Sequence, residues 1–395
     1  MSQSKISSLN LYIYISFIVV MVFYKSLYKV QFLDWILGLS VVVLSIMMVA
    51  HRQRISKAFL FTSLLALSWI PIAFITVTTI DFQGNHLSGV LLYFILCIIS
   101  LGFVQPIFQN KNSSGKIFLI LLILWLLVTY GFIAMYSLGK IEYENGNYFS
   151  GIYENRNDFA MQTVIITSLT YYFSNNTALK KILLFLSFVV ILITQSLTAL
   201  MMFLVMMYLN KFLAYKLVGK LSIFVFILLI GLLLYFFIPS FTLKLDQIFL
   251  VIINPNEIQD GYSIYYRLWL LINGFNIWLE NFWFGIGINN SIFYLIPDTN
   301  LFADRETGFY SHNNYIELAL NYGVFGLLVH YLPIIYILFN LKNHYYKQSI
   351  IVYSTIYLLS SFSAVTYNIF GFVFFYTVIL YLFFKGKYEE NNNYY

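Results

Sequence analysis

The feature that most constrains this chain is a succession of apolar runs about as long as a bilayer is thick. A helix rises 1.5 Å per residue, so ~20 apolar residues cross the ~30 Å hydrocarbon core. Runs of this kind fall at 9–24, 33–50, 58–80, 87–108, 116–138, 159–173, 179–193, 197–210, 219–239, 314–339, 349–365 and 369–384. Backbone amides left unpaired in lipid are costly, so runs this long and this apolar must be helices. The expected fold is an all-α polytopic membrane bundle of about 12 transmembrane helices. Composition agrees, with 61% of residues hydrophobic and 10% charged, against about 25% charged in soluble domains.

The whole chain, 1–395, reads as a single integral membrane domain. Residues 9–24 lack a small-residue cleavage site and are followed by Lys25 and Lys29, which suits a first membrane helix better than a removed leader. Basic residues set the orientation. With the N-terminus inside, the inner loops hold Arg52, Arg54 and Lys57, then Lys111 and Lys116, Lys180 and Lys181, Lys211, Lys216 and Lys220, and Lys342 and Lys347. Lys385 and Lys387 close the pattern, so both termini are expected in the cytoplasm. The net charge of +6 is spread over these flanks and forms no patch for nucleic acid. The single cysteine, Cys97, excludes an intramolecular disulfide.

Two outer connections are long, residues 139–158 and 240–312, the second lying between the ninth and tenth helices. Loops beyond about 15 residues are uncommon in compact folds unless they carry function, which puts the expected chemistry outside. A polysaccharide or lipid transporter would place ionisable groups near the midplane. The spans hold almost none, and His330 reads most simply as a histidine bonded to a neighbouring helix. The transporter is therefore the weaker reading, with a non-catalytic scaffold third. No cluster has metal-ligand spacing, so neither a metal nor a cofactor is expected.

Three segments could carry chemistry. In Tyr310-Ser311-His312-Asn313, Ser311 is expected to cap a helix, with His312 in its first turn at the outer face, where an imidazole can act as a general base. Asn313, Glu317 and Asn321 follow at helical spacing, a polar stripe that must face a polar cavity or another helix. Gly323 and Gly326 suit a close helix contact. Spacing alone weighs a structural and a functional role equally. The second segment, 263–281, reads as an amphipathic helix on the outer leaflet. Asn273, Asn276 and Glu280 share one face, and Arg267 lies opposite with Leu271, Gly274 and Trp278. An arginine on the apolar side suits a buried phosphate, the alternative being snorkelling to headgroups. A glycine-punctuated turn, Phe284-Gly285-Ile286-Gly287, follows. In the third segment, Arg156 and Asn157 stand where an outer loop enters a helix and suit a phosphate or sugar, or simply a capped helix start with a rim ion pair.

Together these segments resemble the O-antigen polymerase and O-antigen ligase superfamily of bacterial envelope polysaccharide glycosyltransferases. The resemblance rests on Gly-x-x-x-Asn-Arg-Asn-x-x-Ala at 151–160, the Arg267 helix with its Phe-Gly-Ile-Gly turn, and Ser311-His312-Asn313 with Glu317 and Gly323-x-x-Gly326. It implies an enzyme of the bacterial cytoplasmic membrane, with its active site facing outward. Glycan would pass, with inversion, from undecaprenyl diphosphate to an acceptor, and the reaction would need no nucleotide sugar or ATP. By the same resemblance Arg267 holds the diphosphate and His312 positions or deprotonates the acceptor hydroxyl. Glu317 joins His312 as a catalytic candidate, Arg156 joins Arg267, and Asn157 and Asn313 are substrate-binding candidates. Members often carry Ser-Arg in mid-chain where this sequence has Ser196-Leu197, which makes Arg156, or Arg305 in the large loop, the substitute cation. The first reading is a polymerase of O-antigen, capsule or exopolysaccharide repeat units, moving the growing chain onto the next lipid-linked unit. The alternative is a ligase passing finished glycan to another acceptor. Partners implied are the lipid-linked oligosaccharide donor and acceptor, membrane lipids, a chain-length regulator and a flippase.

Overall fold

The computed structural model describes residues 13–22, 56–79, 86–108, 111–139, 149–151, 153, 155–237, 242–243, 246–247, 250, 263–288, 290–295, 311–342, 344–366 and 369–390. Among these there is no strand. The helices are α1 (Ile13–Val22), α2 (Lys57–Ala66), α3 (Ile70–Thr79), α4 (His86–Phe108), α5 (Lys111–Ser137), α6 (Arg156–Phe173) and α7 (Thr177–Thr194). They continue with α8 (Leu197–Ala214), α9 (Leu217–Phe237), α10 (Ser263–Glu280), α11 (Ser291–Tyr294), α12 (Asn314–Phe339), α13 (Lys347–Ser360) and α14 (Phe370–Lys385). Among the described residues six helices are long and apolar enough to cross a membrane, those containing Gly89–Phe108, Ser113–Ser137, Thr177–Thr194, Leu197–Ala214, Asn314–Phe339 and Phe370–Tyr388. The chain is an all-α polytopic membrane protein. The apolar run at 33–50 lies outside the described residues.

Helix α14 is the central pillar. Every residue of Phe370–Lys385 is buried, and the helix packs against α2, α4, α6, α12 and α13. Beside it, α6 is buried over almost its whole length although its sequence is rich in Thr, Ser and Gln. Its hydroxyls are satisfied within the bundle: Thr163 donates to the Phe159 carbonyl at 2.9 Å, and Thr167 reaches Ser187 Oγ on α7 at 3.0 Å. Back-bonding of this kind lets a polar helix sit among apolar ones without orphaned donors. Helix starts are capped by side chains, with Asn155 accepting from Asn157 N, Asn176 from Leu179 N and Ser196 from Ala199 N.

Two expected spans are broken. The 58–80 run is two helices, α2 and α3, separated at Leu67–Trp69. Pro71 lacks the amide that a continuous helix would use, so the chain restarts there, with proline tolerated in the first turn. Helix α12 is interrupted at Gly323, whose φ of 64° and ψ of −157° lie far from helical values. That break positions the candidate site.

Candidate active site

Helix α10, the turn 281–290 and α11 form a hairpin laid against the first half of α12. Gly274 of α10 faces Ile316, and eight residues further along both chains the Phe282 carbonyl accepts from Val324 N at 2.8 Å. The matched offset means that α10 and α12 run in the same direction. The glycine turn enters the break at Gly323, where Ile286 N donates to the Leu320 carbonyl at 2.6 Å and Gly287 N to the Asn321 carbonyl at 3.1 Å. Carbonyls released by the kink are thus paired by the hairpin rather than left bare. Helix α10 packs lengthwise on α12. One expectation is corrected: Gly323 receives a loop rather than a helix. The buried side of α10 is Leu270 and Gly274, with Trp278 half-buried, while Leu271, expected on that side, is exposed.

The parallel packing decides where Arg267 stands. It lies two turns before Gly274 on α10, about 10 Å along the helix, and His312 lies just before the start of α12, four residues ahead of Ile316, so both sit toward the head of the pair. Arg156, the first residue of α6, and Asp158 act electrostatically on Arg267. Desolvation is the largest cause lowering the Arg267 pKa, the like charge of Arg156 the next, and Asp158 opposes both. Yet the Arg267 side chain is exposed. Both hold for a guanidinium open on one side and flanked by protein on the other.

His312 occupies a turn held from several sides. Its φ is 51°, left-handed, one of two such non-glycine residues among those described. The helix cap is Asn313 rather than Ser311, with Asn313 Oδ1 accepting from Tyr315 N at 2.9 Å and Ile316 N at 3.2 Å, so His312 precedes the helix. On one side, Ser311 donates to Glu317 Oε2 through its backbone N at 3.0 Å and its hydroxyl at 2.8 Å. On the other, Asn314 N donates to the Ser361 carbonyl at 2.7 Å, Asn314 Nδ2 to Tyr331 OH at 2.8 Å, and Thr366 N to Asn314 Oδ1 at 2.9 Å. A left-handed non-glycine residue costs about 1–3 kcal/mol and persists where its surroundings over-determine it, which is typical of functional sites.

Glu317 is fully buried, and Ser291 Oγ of α11 donates to its Oε1 at 2.9 Å. The expected polar stripe therefore resolves into a cap, Asn313, and two buried groups, Glu317, which bonds to the hairpin, and Asn321. The other left-handed residue, Gln195, is the C-cap of α7, just before Ser196-Leu197. The neighbouring Thr198 hydroxyl meets Ser363 in the turn that also holds Asn314, which brings the Leu197 connection toward the His312 end of the bundle.

Residues 182–331 match the family model described as O-antigen ligase. Over this stretch, less than half of its length, the chain is similar to the O-antigen ligase family. The O-antigen ligase match takes in the Ser196-Leu197 connection, Arg267, the glycine turn, His312 and Glu317, while Arg156 and Asn157 precede it. No curated protein matches the chain.

Of the residues singled out in the sequence, the fold brings Arg267, Arg156 and Asp158 within electrostatic reach of one another and puts Arg267 and His312 toward the same end of the α10–α12 pair. Asn157 is half-exposed in the first turn of α6, with its backbone N bonded to Asn155 Oδ1 at 2.8 Å. Arg305 lies outside the described residues. His330 bonds through Nε2 to Tyr357 OH of α13 at 2.8 Å and stacks on Tyr376, the interhelical role read for it. Ser291 and Asn314 were missed. No spacing marks Ser291, since its partner Glu317 is distant in sequence, whereas Asn314 adjoins His312 and its polarity at a helix start was a usable signal.

Proposed function

We propose that the protein is an inverting glycosyltransferase that takes glycan from undecaprenyl diphosphate on the outer leaflet and polymerises envelope polysaccharide repeat units. The observation that carries this reading is the electrostatic coupling of Arg267 to Arg156, a like charge near it, with Asp158 acting in the opposite sense. Two like charges held together are relieved by a dianion, and guanidinium groups match phosphate oxygens in pairs. The O-antigen ligase family match supports the same class of chemistry.

In this reading the acceptor hydroxyl oxygen attacks the anomeric carbon while the bond from that carbon to the diphosphate oxygen breaks. The bonding electrons leave with the diphosphate, and the hydroxyl proton passes to His312. The arginines stabilise charge that grows on the leaving group, an effect strongest where water is thinned. His312 belongs at the acceptor side because its turn is rigid, which favours a group that must meet one proton in one geometry. Asn157 is open enough to contact sugar, and Arg305 is kept as a further cation for the diphosphate. Glu317, enclosed by its donors, is assigned to holding the His312 turn rather than to proton transfer. The basic inner loops support cytoplasmic termini and an outward site.

The test uses purified protein in lipid nanodiscs with a synthetic undecaprenyl-diphosphate-linked oligosaccharide. A ladder of lengthened products that disappears in Arg267→Ala and His312→Ala is expected for a polymerase. The family description favours one second reading, a ligase, which would give no ladder until a different acceptor is supplied. A ladder undiminished in both folded variants would overturn the site.

A further inference from the structure

We infer that Ser291 is a positioning residue of this site, fastening the Arg267 hairpin to the His312 turn through Glu317. The inference rests on the proposed function and adds a residue to it. Glu317 is the one carboxylate, among the described residues, that receives bonds from both structures. Its Oε1 accepts from Ser291 Oγ at 2.9 Å, and its Oε2 from Ser311 N at 3.0 Å and Ser311 Oγ at 2.8 Å. Ser291, Ser311 and Glu317 are all buried, Ser291 and Glu317 completely.

The hairpin meets α12 at two levels. The glycine turn in the Gly323 break fixes how deep it sits, and nearer the helix start Gly274 packs on Ile316 while Ser291 bonds to the next residue, Glu317. Of these contacts it is the Ser291–Glu317 bond that continues, through the Glu317 carboxylate, to Ser311, the residue next to His312. Without it, the glycine turn and the Gly274 contact would still hold the hairpin, but the carboxylate, and with it the His312 turn, could shift relative to it. Ser291 is thus placed to set the separation between the diphosphate cation and the acceptor base without touching either. Buried hydroxyl–carboxylate bonds are strong and directional, which suits a spacer.

The experiment compares the full-length protein in nanodiscs as wild type, Ser291→Ala, Ser291→Thr and His312→Ala, with the undecaprenyl-diphosphate-linked oligosaccharide as probe. A displacement of ~1 Å costs on the order of 10²-fold in rate, so kcat in Ser291→Ala should fall about 10- to 100-fold. KM should stay within about twofold, because Arg267 still meets the donor, and Ser291→Thr, which keeps the hydroxyl, should recover most of the rate. Wild-type kcat in Ser291→Ala would overturn the inference, as would kcat and KM failing together with a lowered unfolding temperature. Should Ser291→Ala not fold, Ser291→Cys, similar in shape but a weak donor, carries the same two outcomes. His312→Ala separates the two readings: full activity there sinks the proposed function itself. An inactive His312→Ala beside a fully active Ser291→Ala sinks only the spacer.

Discussion

Gly285 and Gly323 meet backbone to backbone. A Cβ on Gly285 would stand 2.2 Å from the Leu320 carbonyl oxygen and 2.7 Å from Gly323 N, and one on Gly323 would stand 2.2 Å from the Trp283 carbonyl oxygen. Both residues have positive φ, 70° and 64°. Alanine at either position pays roughly 1–2 kcal/mol for the left-handed backbone alone, before any clash with a main chain that cannot step aside. We expect Gly285→Ala and Gly323→Ala to lower the unfolding temperature in detergent and to abolish activity. Gly231, with open space around it, should accept alanine with little change. A wild-type melting profile for Gly323→Ala would mean that the hairpin is not seated in the helix break.

Much of this architecture is legible in the sequence, because lipid leaves few choices for a long apolar run. The runs at 87–108, 179–193, 197–210 and 369–384 emerge as α4, α7, α8 and α14 with ends shifted by a few residues. What hydropathy cannot report is which helix is innermost. The run that becomes α14 looks like its neighbours, yet it alone among the six candidate spans is almost wholly enclosed. Breaks are hidden for a related reason: Leu67–Trp69 and Gly323 lie within runs whose apolar character continues on both sides. In the site, helical spacing correctly put Glu317 and Asn321 on one buried face but could not say what faces them. The partner of Glu317 is Ser291 on a four-residue helix, a contact set by tertiary folding and by no local pattern.

Asn313 offers a clean separation of capping from sugar binding. Its Oδ1 is committed to Tyr315 N and Ile316 N. Asn313→Asp keeps that acceptor and should fold and turn over like wild type, whereas Asn313→Ala should lose about 0.5–2 kcal/mol of stability. Thermal unfolding alongside product formation reads both. An aspartate variant that is stable but inactive would restore the amide to the substrate-binding role.

The paired arginines predict that charge alone is not enough. Arg267→Lys and Arg156→Lys preserve the positive charge but replace a planar fork by a point donor. Each should weaken binding of undecaprenyl diphosphate about tenfold or more, read by displacement of a fluorescent analogue in nanodiscs. Because the two cations act on each other electrostatically, the double variant should depart from additivity, as coupled groups do. Strict additivity would indicate two independent sites.

The contact between Gly274 and Ile316 permits a test of whether the hairpin moves during catalysis. An added Cβ at position 274 lies 4.0 Å from Ile316 Cβ, within the 3.5–4.5 Å range that disulfides span. The clash of that Cβ with Ile316 Cγ2 at 2.5 Å vanishes when Ile316 is itself replaced by cysteine. Gly274→Cys with Ile316→Cys should therefore cross-link on mild oxidation, while the native Cys97, buried in the bundle, stays apart. A cross-link forming in high yield would verify the parallel register that puts Arg267 and His312 toward the same end of the pair; no cross-link in a folded protein would refute it. The hairpin is already held by its glycine turn and by Ser291, so a fixed scaffold should be as active oxidised as reduced. If oxidation stops turnover and reduction restores it, α10 must slide on α12 in each cycle, and the head of the pair is a gate rather than a rigid cradle.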